Sequence, residues 1–182
     1  MSTLPFHSEE LLARAAKIRL IGFDVDGTLT DGGLYFNDDG RESKRFHVQD
    51  GMGIVLLHHV GIATALISAR PSAITEARGR QLKFTHLHVG ERNKLACLQA
   101  IAQNSGLSMD EVAFIGDDLP DLATLRAVGL AIAPANAHPW VTQAVHWVTP
   151  HAGGDGAARD ACDLLLHAQH HVGAILAHGE HP

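Results

Sequence analysis

Four short apolar runs, each followed by a helical pattern, restrict this chain more than any other feature. Residues 61–67 (GIATALI), 112–115 (VAFI) and 130–133 (LAIA) are unbroken apolar stretches of strand length, and residues 18–23 (IRLIGF) are nearly so. A strand without polar alternation has to be covered on both faces, which is the habit of parallel sheets. Helical patterns separate the runs, at residues 8–17, 52–60, 72–82, 94–103, 122–128 and a long 157–176, with a further strand at 84–89. Ser8, ahead of Glu9 and Glu10, suits a helix N-cap. The alternation predicts an α/β fold with a doubly wound parallel sheet. With no internal repeat and no linker-like tract, residues 1–182 read as one domain. Its last stretch, 170–182, is expected to fray.

One insertion interrupts the alternation. Residues 33–48 (GLYFNDDGRESKRFHV) hold two extended stretches around the turn sequence Asn37-Asp38-Asp39-Gly40, so a small β-hairpin is predicted after the first strand. Leu34, Tyr35, Phe36, Phe46 and Val48 make it apolar for a projecting ribbon. Either it folds back onto its own domain or another copy covers it. The second reading is preferred, because an exposed apolar ribbon needs a partner.

The first strand runs into Asp24-Val25-Asp26-Gly27-Thr28. Residues two apart on extended backbone point the same way. Asp24 and Asp26 therefore share one side of the crevice that open α/β sheets form beyond the carboxyl ends of their strands. A second acidic cluster, Gly116-Asp117-Asp118-Leu119-Pro120-Asp121, follows the run at 112–115. Like unit charges ~4 Å apart repel by about 4 kcal/mol at an effective dielectric of about 20, so such a cluster calls for a cation or protons. Oxygen-only ligands select a hard ion, and magnesium suits a phosphate substrate best. Ser68 and Arg70 stand just past the run at 61–67, and Lys94 opens the helix that follows residues 84–89. A hydroxyl and an ammonium, with main-chain donors, can hold the oxygens of a phosphoryl group.

In this order, DVDGT, a strand ending in Ser68, then Lys94, then GDDLPD resemble the four motifs of the haloacid dehalogenase superfamily, across residues 18–121. The resemblance implies a Rossmann-like core in which Asp24 is the nucleophile that forms an aspartyl-phosphate and Asp26 is the general acid and base. It implies that Ser68 and Lys94 hold the transferring phosphoryl group, and that Mg2+ sits on the Asp24 carboxylate, the Asp26 main-chain carbonyl and Asp117. Asp118 would orient water on the metal, and Asp121 would help place Lys94. An acid at the position of Asp26 favours hydrolysis of a phosphate ester, whose leaving oxygen needs a proton. Members commonly cover the crevice with a cap domain. Here residues 31–51 leave room only for the hairpin, and residues 70–90 only for one helix and one strand, so no cap domain is predicted and a neighbouring subunit is the expected cover.

The capless arrangement, the hairpin and the late GGDGAARDACDLLL segment are similar, over residues 18–169, to the branch of that superfamily acting on 3-deoxy-D-manno-octulosonate 8-phosphate. That resemblance implies a phosphorylated sugar acid as substrate, a place in lipopolysaccharide sugar synthesis, and a homotetramer built through the hairpins. Arg70 would then bind an anionic group of the substrate, and the GGDG loop with Arg159 would reach a neighbour's crevice. The chain departs from the pattern at Ala69, where glycine is expected, and at His47 and Gln49, where asparagine and arginine are expected. Other readings stay open: a nine-carbon ulosonate 9-phosphate as substrate, a phospho-accepting signalling domain, or an idle oligomerisation module. So do structural roles, with Asp118 or Asp121 as helix-start carboxylates, Arg70 in a local pair, and Arg159 paired with Asp155 or Asp160.

Composition bears on partners. Twenty acidic against fourteen basic side chains give a formal charge of −6 with neutral histidine, so there is no basic excess for nucleic acid. No run reaches the ~18 apolar residues of a membrane span, and the first residues lack the basic-then-apolar profile of a signal peptide. Two cysteines, Cys97 and Cys162, both expected to be buried, suit a reducing compartment, and the expectation is a cytoplasmic enzyme. The histidines, among them His58, His59, His167, His170, His171, His178 and His181, read as solvated side chains rather than metal ligands.

Overall fold

The structure is a computed structural model and describes residues 8–178. Six strands form one parallel sheet in the order β5 (His86–Val89), β4 (Ala63–Ser68), β1 (Leu20–Phe23), β6 (Val112–Ile115), β7 (Leu130–Ala133) and β8 (Trp147–Val148). Every residue of β1, β6 and β7 is buried, as the unbroken apolar runs require. Side chains alternate between two cores. Ile21, Phe23 and Ile115 face a layer made by α1 (Glu9–Ala15), α2 (Val48–His59) and α7 (Ala157–Ala168), where they meet Leu11, Ile54, Leu57 and Leu165. Leu20, Ile67 and Phe114 face the opposite layer, made by α4 (Lys94–Asn104), α5 (Leu122–Leu125) and α6 (Pro139–Thr142), where they meet Leu98, Leu125 and Val141. Each such fully buried side chain contributes roughly 1.5–3 kcal/mol. Gly22 has no room for more, because a Cβ there would stand 2.6 Å from the Phe114 ring.

The chain leaves β1 for β4 and, after α3 (Ala73–Gln81), for β5; α4 then carries it back across to β6, β7 and β8. The winding direction therefore reverses at β1, and the crevice of a doubly wound sheet opens at such a reversal. Between β4 and β5 lies one helix, and between β1 and α2 lies only the hairpin, so nothing like a cap domain is present among the described residues.

The hairpin consists of β2 (Tyr35–Phe36) and β3 (Glu42–Ser43), paired antiparallel, with Gly40 at φ 77 in the turn. Its base folds back onto its own domain and its tip does not. Leu34, Tyr35 and Phe36 are exposed, whereas Phe46 bridges back to Thr30 and lies under the Arg78 guanidinium, 5.7 Å from its ring centroid. Val48 is the first residue of α2, not part of the ribbon. Polar contacts tie down the base of the hairpin: the Tyr35 hydroxyl donates to Asp31 at 2.6 Å, and Arg45 stands 3.8 Å from Asp31 and 3.4 Å from Asp155.

The long helix expected over 157–176 is broken. It ends at Ala168, His170 takes a left-handed φ of 62, and a second helix, α8 (Val172–His178), follows where fraying was expected. The break has a tertiary cause, since the Gln169 amide donates to the carbonyls of Ala15 at 3.1 Å and Ile18 at 2.8 Å, under the end of α1. Residues 179–182, with His181, and residues 1–7, where the absence of a signal peptide was read, lie outside the described residues. Cys162 is buried, but Cys97 is only half-buried on α4. No helix among the described residues is long and apolar enough to cross a membrane.

Candidate active site

The sheet brings the sequence motifs to one edge. Asp24 follows the last residue of β1 and is pinned there by its N–H, which donates to the Ile115 carbonyl at 3.0 Å. Ser68 closes β4, Asp117 follows β6 by one glycine, and Lys94 opens α4. Together with Asp26, Arg70, Asp118 and Asp121 they line a crevice of about 230 Å³. After Asp24 the chain doubles back tightly. The N–H groups of Thr28, Leu29 and Thr30 all donate to the Val25 carbonyl, at 3.2, 2.9 and 3.0 Å. Gly27, at φ 88, is required by contact as well as by conformation, because a Cβ there would enter the Asp117 carboxylate.

Three buried or half-buried carboxylates meet here. Ligand oxygens of Asp24, Asp117 and Asp121 lie within 4.8 Å of one another. One cation faces them: the Lys94 ammonium bonds Asp24 at 2.5 Å and Asp121 at 2.6 Å. Burial pushes the Asp24 carboxyl up to about 6, against the pull of Lys94. Burial, then the charge of Asp121, does the same to Asp117, also to about 6. Asp121 is likewise raised to about 6 by burial and by Asp24. Burial alone would depress Lys94, yet Asp24 and Asp121 outweigh it and hold the ammonium above the ordinary lysine value. The second oxygen of Asp121 accepts from the Asp117 N–H at 3.1 Å, so this carboxylate is committed to Lys94 and to its own loop. Asp24 and Asp117 keep the open oxygens. Three carboxylates and one shared ammonium leave a negative surplus, and an all-oxygen donor set of this kind fits a hard dication such as magnesium.

A testable consequence concerns this surplus. A carboxyl raised in the folded state stabilises the fold below its ordinary pKa of 3.8, and that contribution is lost as pH rises through about 6. Magnesium at saturation should therefore raise the melting temperature by roughly 5–10 °C at pH 7.5 and by clearly less at pH 5, where protons already neutralise the site. Equal shifts at both values, read by calorimetry against a chelator control, would argue that the ion binds elsewhere.

The remaining expectations are met unevenly. Ser68 is buried at the crevice, its hydroxyl 3.4 Å from the Arg70 carbonyl. Arg70 is half-exposed and sits in a local pair, 3.0 Å from Glu42 and 3.8 Å from Asp26. Asp118 is exposed and caps the short turn Leu119–Asp121, accepting from the Leu119 N–H at 2.8 Å. Arg159 is outside the crevice, and its partner is neither Asp155 nor Asp160 but Asp163, one helical turn on, at 2.7 Å. Asp155 is instead engaged by Arg45, and Asp160 by His151. The GGDG turn packs against its own nucleophile loop: the Gly154 N–H donates to the Thr28 carbonyl at 3.1 Å, and a Cβ on Gly153 would enter the Gly27 carbonyl. Backbone against backbone leaves no space for a side chain, which is why two glycines stand there.

Comparison with known proteins follows the same lines. The haloacid dehalogenase-like hydrolase family profile matches residues 66–159. Over 162 residues, 89% of this chain and 86% of the relative, the sequence is 41% identical to the 3-deoxy-D-manno-octulosonate 8-phosphate phosphatase KdsC of Escherichia coli. This chain is a haloacid dehalogenase-like hydrolase. Among solved structures, a hypothetical protein from Xanthomonas campestris superposes with a TM-score of 0.93 at 50% identity, covering 98% of this chain and 100% of that one. The 3-deoxy-D-manno-octulosonate 8-phosphate phosphatase from Moraxella catarrhalis, solved with a magnesium ion, a phosphate ion and a KDO molecule, superposes with a TM-score of 0.92 at 37% identity, covering 96% and 100%.

Two residues of this haloacid dehalogenase-like hydrolase escaped the sequence reading. Lys44 and Glu42, on the inner side of the hairpin, stand against the crevice wall, where the Lys44 ammonium bonds Asp26 and Glu42 pairs with Arg70. Their spacing of two on an extended stretch puts them on one side of the ribbon, but nothing in the sequence says that this side meets Asp26.

Proposed function

We propose that this haloacid dehalogenase-like hydrolase removes the phosphate from 3-deoxy-D-manno-octulosonate 8-phosphate, with magnesium, through an aspartyl-phosphate on Asp24. The observation that carries this reading is the meeting of Asp24, Asp117, Ser68 and Lys94 in one crevice, in a chain 41% identical to a phosphatase of that substrate.

The residues divide the work as follows. An Asp24 oxygen bonds to phosphorus as the bond from phosphorus to the sugar oxygen breaks, and Asp26 gives that oxygen its proton. In the second half, Asp26 takes a proton from water as the water oxygen bonds to phosphorus and the bond to Asp24 breaks. Phosphate leaves, and both carboxyl groups return to their starting states. Lys94 and Ser68 hold the phosphoryl oxygens throughout, Asp121 keeps Lys94 in place, and Asp118 orients the water. Magnesium, held by Asp24, Asp117 and the Asp26 main-chain carbonyl, supplies positive charge where carboxylate meets phosphate. Phosphate release should be at least about tenfold faster in kcat/KM from the eight-carbon ulosonate phosphate than from its nine-carbon analogue, and absent with a chelator. A preference for the nine-carbon compound would refute the substrate, and a long-lived phosphorylated Asp24 without turnover would identify a signalling domain.

The active assembly is a homotetramer formed through the outer side of the hairpin, where Leu34, Tyr35 and Phe36 are 59%, 47% and 61% exposed. It works in the cytoplasm, a reading supported by two cysteines that are both unpaired. Phe36→Asp should move the sedimenting species to monomer and slow turnover. An unchanged sedimentation coefficient would reject the contact.

A further inference from the structure

The hairpin has an inner side as well as an outer one. Glu42 in β3 and Lys44 just beyond it lie against two residues of the crevice wall, Arg70 and Asp26, and the Lys44 side chain is 2% exposed. Its ammonium bonds one oxygen of Asp26 and lies 3.9 Å from Glu42. Arg70 approaches the other Asp26 oxygen at 3.8 Å and bonds Glu42 at 3.0 Å. Two cations and the Glu42 carboxylate, contributed by the hairpin and the segment after β4, thus flank the Asp26 carboxyl, with a cation at each of its oxygens. A buried ammonium has no solvent to turn to if it leaves its partner, so Lys44 is the fixed member of this group. Arg70, half-exposed, is the movable one.

We propose that Lys44 is a positioning residue that holds the Asp26 carboxyl in line with the oxygen of the departing alcohol, which makes the hairpin part of the active site of its own subunit. The inference rests on the reading of Asp26 as the proton donor. Proton transfer needs a heavy-atom approach of about 2.6–3.2 Å, and a misplacement of about 1 Å is worth on the order of 10²-fold in rate. Lys44 secures that approach from outside the phosphoryl-binding groups, so it acts on the leaving group and not on phosphate.

Leaving-group dependence tests this. Nitrophenolate departs without a proton, whereas the alkoxide of glycerol 3-phosphate does not, and kcat/KM reports only the steps up to alcohol release. In Lys44→Met the ratio of kcat/KM for glycerol 3-phosphate over p-nitrophenyl phosphate should fall about 10²-fold, and Lys44→Arg should recover most of it. Lys44→Gln serves as the second variant should the methionine form fail to fold, with circular dichroism as the check. Equal losses on both esters would overturn the proposal in favour of a packing role. A loss confined to substrates bearing a carboxylate, with the ratio unchanged, would overturn it in favour of direct substrate contact. Asp26→Asn is the reference: a collapsed ratio there with an intact one in Lys44→Met faults Lys44 alone, and an intact ratio in both faults the assignment of Asp26 itself.

Discussion

Asp24→Asn should lower phosphate release by at least about 10⁴-fold while the protein stays folded. An amide has the shape of the carboxyl but no charge and no nucleophilic oxygen, so the bond to phosphorus cannot form. Stability should change little, because two effects oppose each other. The Lys94 ammonium loses a charged partner at 2.5 Å, but one of three crowded carboxylates disappears, and with it a group whose burial already raises it to about 6. Acid-quenched mass spectrometry should find a phosphorylated wild-type enzyme and an unmodified variant. A phosphoryl group on another residue, or turnover within tenfold of wild type, would remove Asp24 from the role of nucleophile.

Lys94→Met should be the most damaging change to the fold. The ammonium is 4% exposed and joins Asp24 to Asp121, itself 1% exposed. Removing one partner of a buried ion pair leaves uncompensated charge and costs about 3–5 kcal/mol. The sign with pH follows from the remaining carboxyls. They are raised already and would be raised further without the cation, so the deficit is full above their folded pKa and shrinks as protons neutralise them. Urea denaturation in chelator should therefore show a large gap from wild type at pH 7.5 and a smaller one at pH 5. A deficit that does not depend on pH would mean that Lys94 contributes packing rather than charge.

How much of this was legible in the sequence depends on where each feature gets its partners. β1, β6 and β7 are buried on both faces, so their apolar runs announced them, β6 and β7 to the residue and β1 two residues too early. β8 has two residues paired on one side only, too short for any periodic signal, and the turn of helix at Pro139–Thr142 is equally brief. The helical pattern over 157–176 was real, but the break inside it depends on carbonyls of Ala15 and Ile18, more than a hundred residues away. At the site, Asp24, Ser68 and Asp117 could be read because parallel strand ends converge. Lys44 and Glu42 could not be placed without knowing that the base of the hairpin brings them to Asp26 and Arg70. Arg159 was a different failure, since Asp163 lies one helical turn further on and an i,i+4 partner was there to be noticed.

The glycine turn at 153 and 154 has a consequence for biosynthesis. A ribosome delivers every reactive group of the crevice by residue 121, yet the backbone that props the loop after Asp24 from behind emerges some thirty positions later. Until then the nascent segment holds its reagents without a wall, and a message cut short in that interval encodes all of the chemistry in an unbraced form.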